Sequence, residues 1–171
     1  MVNDVRRAYF YAPTHRDIYI ELPAEDREGT SDQLGKLNLS LYGTRDAASN
    51  WQEHLSAHLE QIGFTIGVGH PSVYHHMERG LVTLVHGDDY TTAGNIEDLR
   101  WFKQRLEEAY EIKTQIIGPD GDKIGKVLNW MITYTGFGFE LEADQRHSEM
   151  IVEQLGVTSS GGITTAGCQN E

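Results

Sequence analysis

The stretch Leu81-Val82-Thr83-Leu84-Val85-His86-Gly87-Asp88-Asp89-Tyr90-Thr91-Thr92 decides how the rest of the chain is read. Leu81 to Val85 is apolar and largely β-branched, Tyr90 to Ala93 is β-rich again, and a glycine and two acids stand between them. Gly87 supplies the backbone freedom a two-residue hairpin turn requires, so the stretch is predicted to be strand, tight turn, strand. Two carboxylates at one hairpin tip repel each other. A bound divalent cation would remove that cost, and oxygen-only ligands suit magnesium or manganese. Aspartate is also a common turn residue, so the pair taken alone favours a solvated acidic turn.

Outward from the hairpin, apolar periodicity predicts helices on both sides. Asp46 to Ile62 carries Ala48, Trp51, Leu55, Leu59 and Ile62 at helical spacing and stops at Gly63. Asn95 is placed to cap a helix from Ile96 to Tyr110, with Leu99, Phe102, Leu106 and Tyr110 on one face. Short strands are expected at Ile18 to Leu22, Ser72 to Met77 and Phe137 to Leu141. Ile112 to Ile117 and Val127 to Thr135 read as a hairpin around Gly118-Pro119-Asp120-Gly121. Ala24 to Gly35 reads as a surface loop, and Asp144 as the cap of a last helix to Leu155, ended by Gly156. From Thr158 onward Ser, Thr and Gly dominate, and residues 158–171 are expected to be a disordered tail. The order predicts an α+β domain over residues 1–157, with helices packed on an antiparallel sheet.

A third acid changes the meaning of the pair. Asp4-Val5-Arg6-Arg7-Ala8-Tyr9-Phe10 places a lone aspartate at a strand end, far in sequence from Asp88-Asp89. Two-metal phosphoryl transfer needs carboxylates from separate strands converging on ions about 3.5–4 Å apart. Between the acids lies Ser40-Leu41-Tyr42-Gly43-Thr44-Arg45-Asp46-Ala47-Ala48-Ser49-Asn50-Trp51. These three segments, in this order and spacing, resemble the copia-type LTR-retrotransposon reverse transcriptases. Ile18-Tyr19-Ile20-Glu21-Leu22-Pro23, and Gly63-Phe64 followed by His70-Pro71-Ser72-Val73-Tyr74, match further family segments. The resemblance runs over roughly residues 2 to 157.

The resemblance implies a reverse-transcriptase palm and RNA-templated DNA synthesis by two-metal nucleotidyl transfer. Asp4 and Asp88 are then the principal metal ligands, with Asp89 as the secondary carboxylate and the Val5 carbonyl as an extra ligand. The cofactor is a pair of magnesium ions, with manganese as a substitute. Tyr9 falls where the family places an aromatic gate against a ribose 2′-hydroxyl, although simple core packing also accounts for it. Gly43 and Arg45 belong to the motif that positions nucleotide and template; Arg45 reads equally as a first-turn helix residue. Lys113 matches a family lysine able to protonate the leaving pyrophosphate, or is an exposed strand lysine. Trp51, on the apolar helix face, reads as core.

The chain also departs from the family. His86-Gly87 replaces the usual Tyr-Val before the acids, and Thr44-Arg45-Asp46 stands where Gln-Ala-Pro elements are expected. Only Met1-Val2-Asn3 precede Asp4, so its strand is expected to be a stub with the fingers largely absent, and no thumb or RNase H domain follows. Fourteen basic against 26 acidic residues give a net charge of −12, which opposes phosphate-backbone binding. RNA or DNA template-primer and dNTP are therefore expected to bind weakly, and the chain to be weak or inactive as a polymerase by itself. One cysteine, Cys168, and no apolar run of membrane-spanning length predict a soluble intracellular protein without disulfides or membrane contact.

Two other readings use the same residues differently. One is an acidic palm-fold interaction module that has lost its chemistry. The other is a histidine-dependent metal-binding protein using His54 and His58, which stand at i, i+4 on the first predicted helix. No glutamate accompanies them in an H-E-x-x-H pattern, and His75-His76 would alternate across a strand.

Overall fold

A computed structural model describes residues 1–27, 29 and 33–156. The tail predicted at 158–171 lies outside the described residues. The chain is mixed α+β, with antiparallel sheets and, among the described residues, three α-helices.

A six-stranded sheet runs in the order β4-β5-β6-β7-β1-β8, from Thr65–Ile66 (β4), Val73–His76 (β5), Leu81–His86 (β6), Asp89–Ala93 (β7), Val2–Val5 (β1) and Ile112–Gln115 (β8). Its hairpin is the one expected, since His86 pairs with Asp89 and leaves Gly87-Asp88 as the two turn residues. Gly87 takes φ 64° while Asp88 does not turn positive, the sign pattern of a type II′ turn. Two helices cover one face: α1, Ala47–Gln61, and α2, Ile96–Ala109. Trp51, Leu55 and Leu59 of α1 and Leu99, Phe102 and Leu106 of α2 fall at helical spacing and are buried against Val5, Tyr74, Leu81 and Tyr90. Each such side chain contributes about 1.5–3 kcal/mol through burial, so these two stripes hold the helices on the sheet. Ala48 is exposed and Ala47 is buried in its place, because the stripe starts one residue earlier than expected. The Asn95 side chain accepts from the Asp98 amide at 3.0 Å, capping α2 as predicted.

Alternation along β6 and β7 separates the two faces. Leu81, Thr83, Tyr90 and Thr92 are buried under the helices, and the Thr83 and Thr92 hydroxyls hydrogen-bond at 3.0 Å. Val82 and Leu84 point the other way and are largely exposed. That helix-free face carries Asp4 and Asp89.

The strand at Asp4 is short, as expected, and it is an interior one. β1 pairs with β7 on one side and β8 on the other, so four residues suffice to seat Asp4 in the sheet. The hairpin predicted from Ile112 to Thr135 does not form: β8 pairs with β1 at the end of the sheet, and among the described residues no strand joins its other edge. The later residues build a separate sheet, β11-β10-β9, from Phe139–Ala143 (β11), Trp130–Tyr134 (β10) and Ile124–Val127 (β9). Leu128 and Asn129, at φ 47° and 66°, form the tight turn that splits the run expected as one strand. Between this sheet and the helix-free face of the larger one lies an apolar cleft of about 520 Å³. Tyr19–Glu21 (β2) pairs with Leu34–Lys36 (β3), so the last two residues of the stretch expected as a surface loop, Leu34 and Gly35, belong to a strand. The last helix, Gln145–Leu155 (α3), is capped by the Asp144 side chain and ends at Gly156 with φ 65°.

Candidate active site

Strand register assembles the acids. His86 lies opposite Asp89, Asp89 opposite Asp4, and Asp4 opposite Lys113, one row across four strands on the helix-free face. Directly paired residues share a face, so two carboxylates sit between an imidazole and an ammonium. Hydrogen bonds show how close the acids are. The Val5 amide donates to the Asp88 carbonyl at 3.0 Å and the Thr92 amide to the Met1 carbonyl at 2.8 Å. Asp4 and Asp89 therefore occupy a non-hydrogen-bonded position, where Cα atoms approach to about 4.5 Å and side chains are nearest. On the other side, Arg6 donates to the Glu111 carbonyl at 2.9 Å, which makes Asp4 and Lys113 a wider, hydrogen-bonded pair.

Asp88 stands out of this row, in the turn. Partial burial, then the charges of Asp88 and Asp4, hold the Asp89 carboxyl above its ordinary pKa, while His86 acts weakly in the opposite direction. Three acids and a carbonyl oxygen are a donor set suited to a hard divalent cation. As they stand, no three acid, imidazole or thiol groups among the described residues are drawn together into one metal-binding cluster.

Aromatic rings flank the turn. Tyr9 is half-buried, in a 3₁₀ turn at Ala8–Tyr11, and stacks on Tyr42 with ring centroids 4.4 Å apart. Phe10 meets Tyr42 edge-on at 5.6 Å. Burial, then the charge of Asp88 and the neighbouring Tyr9, raise the Tyr42 phenol above its ordinary pKa. Sequence reading gave Tyr42 no role; its position next to Gly43 in the second motif was the available signal. A cavity of about 240 Å³ opens beside the hairpin, lined by Tyr9, Trp51, Pro71, Tyr74, His86 and Gly87. Trp51 is 1% exposed, as expected of core, but its indole N–H also donates to the Gly87 carbonyl at 2.8 Å.

The remaining candidates are dispersed. Gly43 is exposed at φ 87°, a conformation glycine adopts without strain, and open space surrounds it. Arg45 is exposed and precedes the helix N-cap Asp46, so it is not a first-turn residue. Asp46 accepts both prongs of Arg16, at 2.9 and 3.0 Å, instead of capping the helix with its side chain. Lys113 is exposed at the end of the carboxylate row. Arg6 and Arg7, between Asp4 and Tyr9, both bind Glu111, at 2.7 and 2.9 Å.

His54 and His58 do share a face of α1, and both pack edge-on against Tyr110 at 5.9 and 5.1 Å. Burial lowers both imidazole pKa values, that of His58 further through its neighbour His54. Among the described residues no third ligand joins them. His76 is buried between Phe64 and Trp101, whereas His75 lies on the opposite side of β5.

The family described as Reverse transcriptase (RNA-dependent DNA polymerase) matches residues 2–166. The Gag-Pol polyproteins of transposons Ty1-DR4, TyH3 and Ty1-BL of Saccharomyces cerevisiae are each 26% identical to the chain over 122 residues, 71% of its length. The matched region is 7% of each of those polyproteins. The order of the motifs and the match over nearly the whole chain agree: this chain belongs to the copia-type reverse transcriptase (RNA-dependent DNA polymerase) family.

Proposed function

We propose that residues 1–157 form the carboxylate-bearing palm of an RNA-directed DNA polymerase, with Asp4, Asp88 and Asp89 as its catalytic acids. The observation that supports this best is the register placing Asp4 beside Asp89, with Asp88 one residue away in the turn. The reading assigns Asp4, Asp88, Asp89 and the Val5 carbonyl to two divalent cations, magnesium or manganese. Bound there, the cations supply charge neutralisation for the nucleotide's phosphates and a more acidic primer hydroxyl.

The chain's own residues set the rest. Repulsion within the acid row favours whatever brings positive charge to it. Lys113, paired with Asp4, stands at the row's edge, able to deliver a proton toward a leaving pyrophosphate. The Tyr9 ring, backed by Tyr42, lines the cavity at Gly87 and is suited to pack against a sugar and exclude one bearing an extra hydroxyl. Gly43 and Arg45 lead into α1 from the same segment and are assigned to nucleotide and template positioning. Template-primer RNA or DNA and dNTP are the partners of this reading.

The test is Mn²⁺ titration of the whole chain followed by paramagnetic broadening. Binding that weakens with Asp4→Asn, Asp88→Asn and Asp89→Asn alike supports the palm reading. Binding indifferent to all three overturns it. Primer extension on an RNA template is expected to be weak or absent for the chain alone, and any extension seen must disappear in Asp88→Asn. The net charge of −12 favours a second reading, an acidic interaction module with the same fold and no metal dependence. Absence of Mn²⁺ binding selects it.

A further inference from the structure

We infer that Trp51 is a positioning residue for the reaction, fixing the Gly87-Asp88 turn through its indole N–H; the inference rests on the palm reading above. The turn is the least supported part of the acid constellation. Asp4 and Asp89 lie within paired strands, whereas Asp88 lies between them, next to an exposed glycine. Two successive turn carbonyls are nevertheless taken up by different elements. Gly87 accepts from Trp51 of α1 at 2.8 Å, and Asp88 accepts from the Val5 amide of β1 at 3.0 Å. The second bond sets the turn against the strand of Asp4. The first sets it against the helix.

Trp51 is well placed to hold something still. Its ring is 1% exposed, stacked with His54 at 5.9 Å and edge-on to Tyr110 at 5.4 Å, so the N–H cannot swing away from the turn. An indole donor in such a setting needs a partner, and the one it has is the carboxylate-bearing loop. The helix is tied in turn to the second motif, because the Asn50 side chain donates to the Ser40 hydroxyl at 3.0 Å. Ser40 is itself buried, and its amide donates to the Ala12 carbonyl at 2.8 Å, next to the 3₁₀ turn that bears Tyr9. The run Ser40 to Trp51 thereby braces Tyr9 at one end and the acid turn at the other.

Gly87 is exposed, so its carbonyl turns to water when the indole donor is lost. Removing the donor therefore affects turn position more than overall stability. In the full chain, Trp51→Phe is compared with Leu59→Val, a core change in the same helix that does not touch the turn. The expected result is exchange of the Val5 amide about tenfold faster in Trp51→Phe than in Leu59→Val at matched melting temperature, with Mn²⁺ bound about tenfold more weakly. Should Trp51→Phe fail to fold, the isosteric replacement of the indole by benzothiophene removes only the N–H and gives the same comparison. Val5 exchange equal in the two variants overturns the inference. A wild-type chain that binds no Mn²⁺ overturns the palm reading instead, and the Val5 exchange rate still decides whether Trp51 holds the turn.

Discussion

Asp4 and Asp89 face each other across β1 and β7 at a position where no ladder hydrogen bond joins them, the closest approach two antiparallel residues make. Like charges at such a position destabilise the sheet. In the palm reading proposed above, this is a pair that awaits positive charge.

Asp89→Asn tests that cost directly. The Asp89 carboxyl is held above its ordinary pKa, so its ionisation opposes folding, and the penalty develops as pH rises through the carboxylate range. At neutral pH without metal, Asp89→Asn is expected to gain about 0.2–1 kcal/mol in urea denaturation. The gain shrinks as pH falls toward the ordinary aspartate value of about 3.9. With Mn²⁺ present the ranking reverses. A loss of stability in the metal-free variant contradicts this account.

The His54–His58 pair gives an acid-side dependence of the opposite sign. Burial lowers both imidazole pKa values, so protonation is disfavoured in the fold and stability is complete above the ordinary value of 6.5. Stability is lost as pH falls below that value and levels off below the folded pKa values. Melting curves of His58→Gln between neutral pH and about pH 5 are expected to be flatter than those of the wild type.

Gly87 is required by its backbone. At φ 64° a side chain crowds the following carbonyl, so Gly87→Ala is expected to cost about 1–2 kcal/mol. Gly87→Asn costs less, because asparagine tolerates this region. Equal effects of the two substitutions in chemical denaturation rule out conformational strain as the reason for the glycine.

Asn95 caps the helix that carries Leu99, Phe102 and Leu106, accepting from the Asp98 amide at 3.0 Å. Asn95→Ala is expected to cost about 1 kcal/mol, and Asn95→Asp to restore most of it, since the N-terminus of a helix favours an acid. Thermal unfolding of the three chains checks the order.

Much of the molecule is legible in the one-dimensional pattern. The two core helices, the hairpin and its turn, the caps at Asn95 and Asp144 and the αL stop at Gly156 are local events, dictated by periodicity and by residues within one turn of each other. The identity of the acids is equally a property of the sequence, carried by ordered motifs. Tertiary structure alone decided who stands beside whom. Nothing local tells β8 to pair with a strand more than a hundred positions earlier, and that pairing makes the short first strand an interior one, seating Asp4 between Asp89 and Lys113. The same long-range packing brought the Trp51 indole to the Gly87 carbonyl and Tyr42 to Tyr9. Register is set by the burial of whole faces, a sum over the fold that no single segment contains.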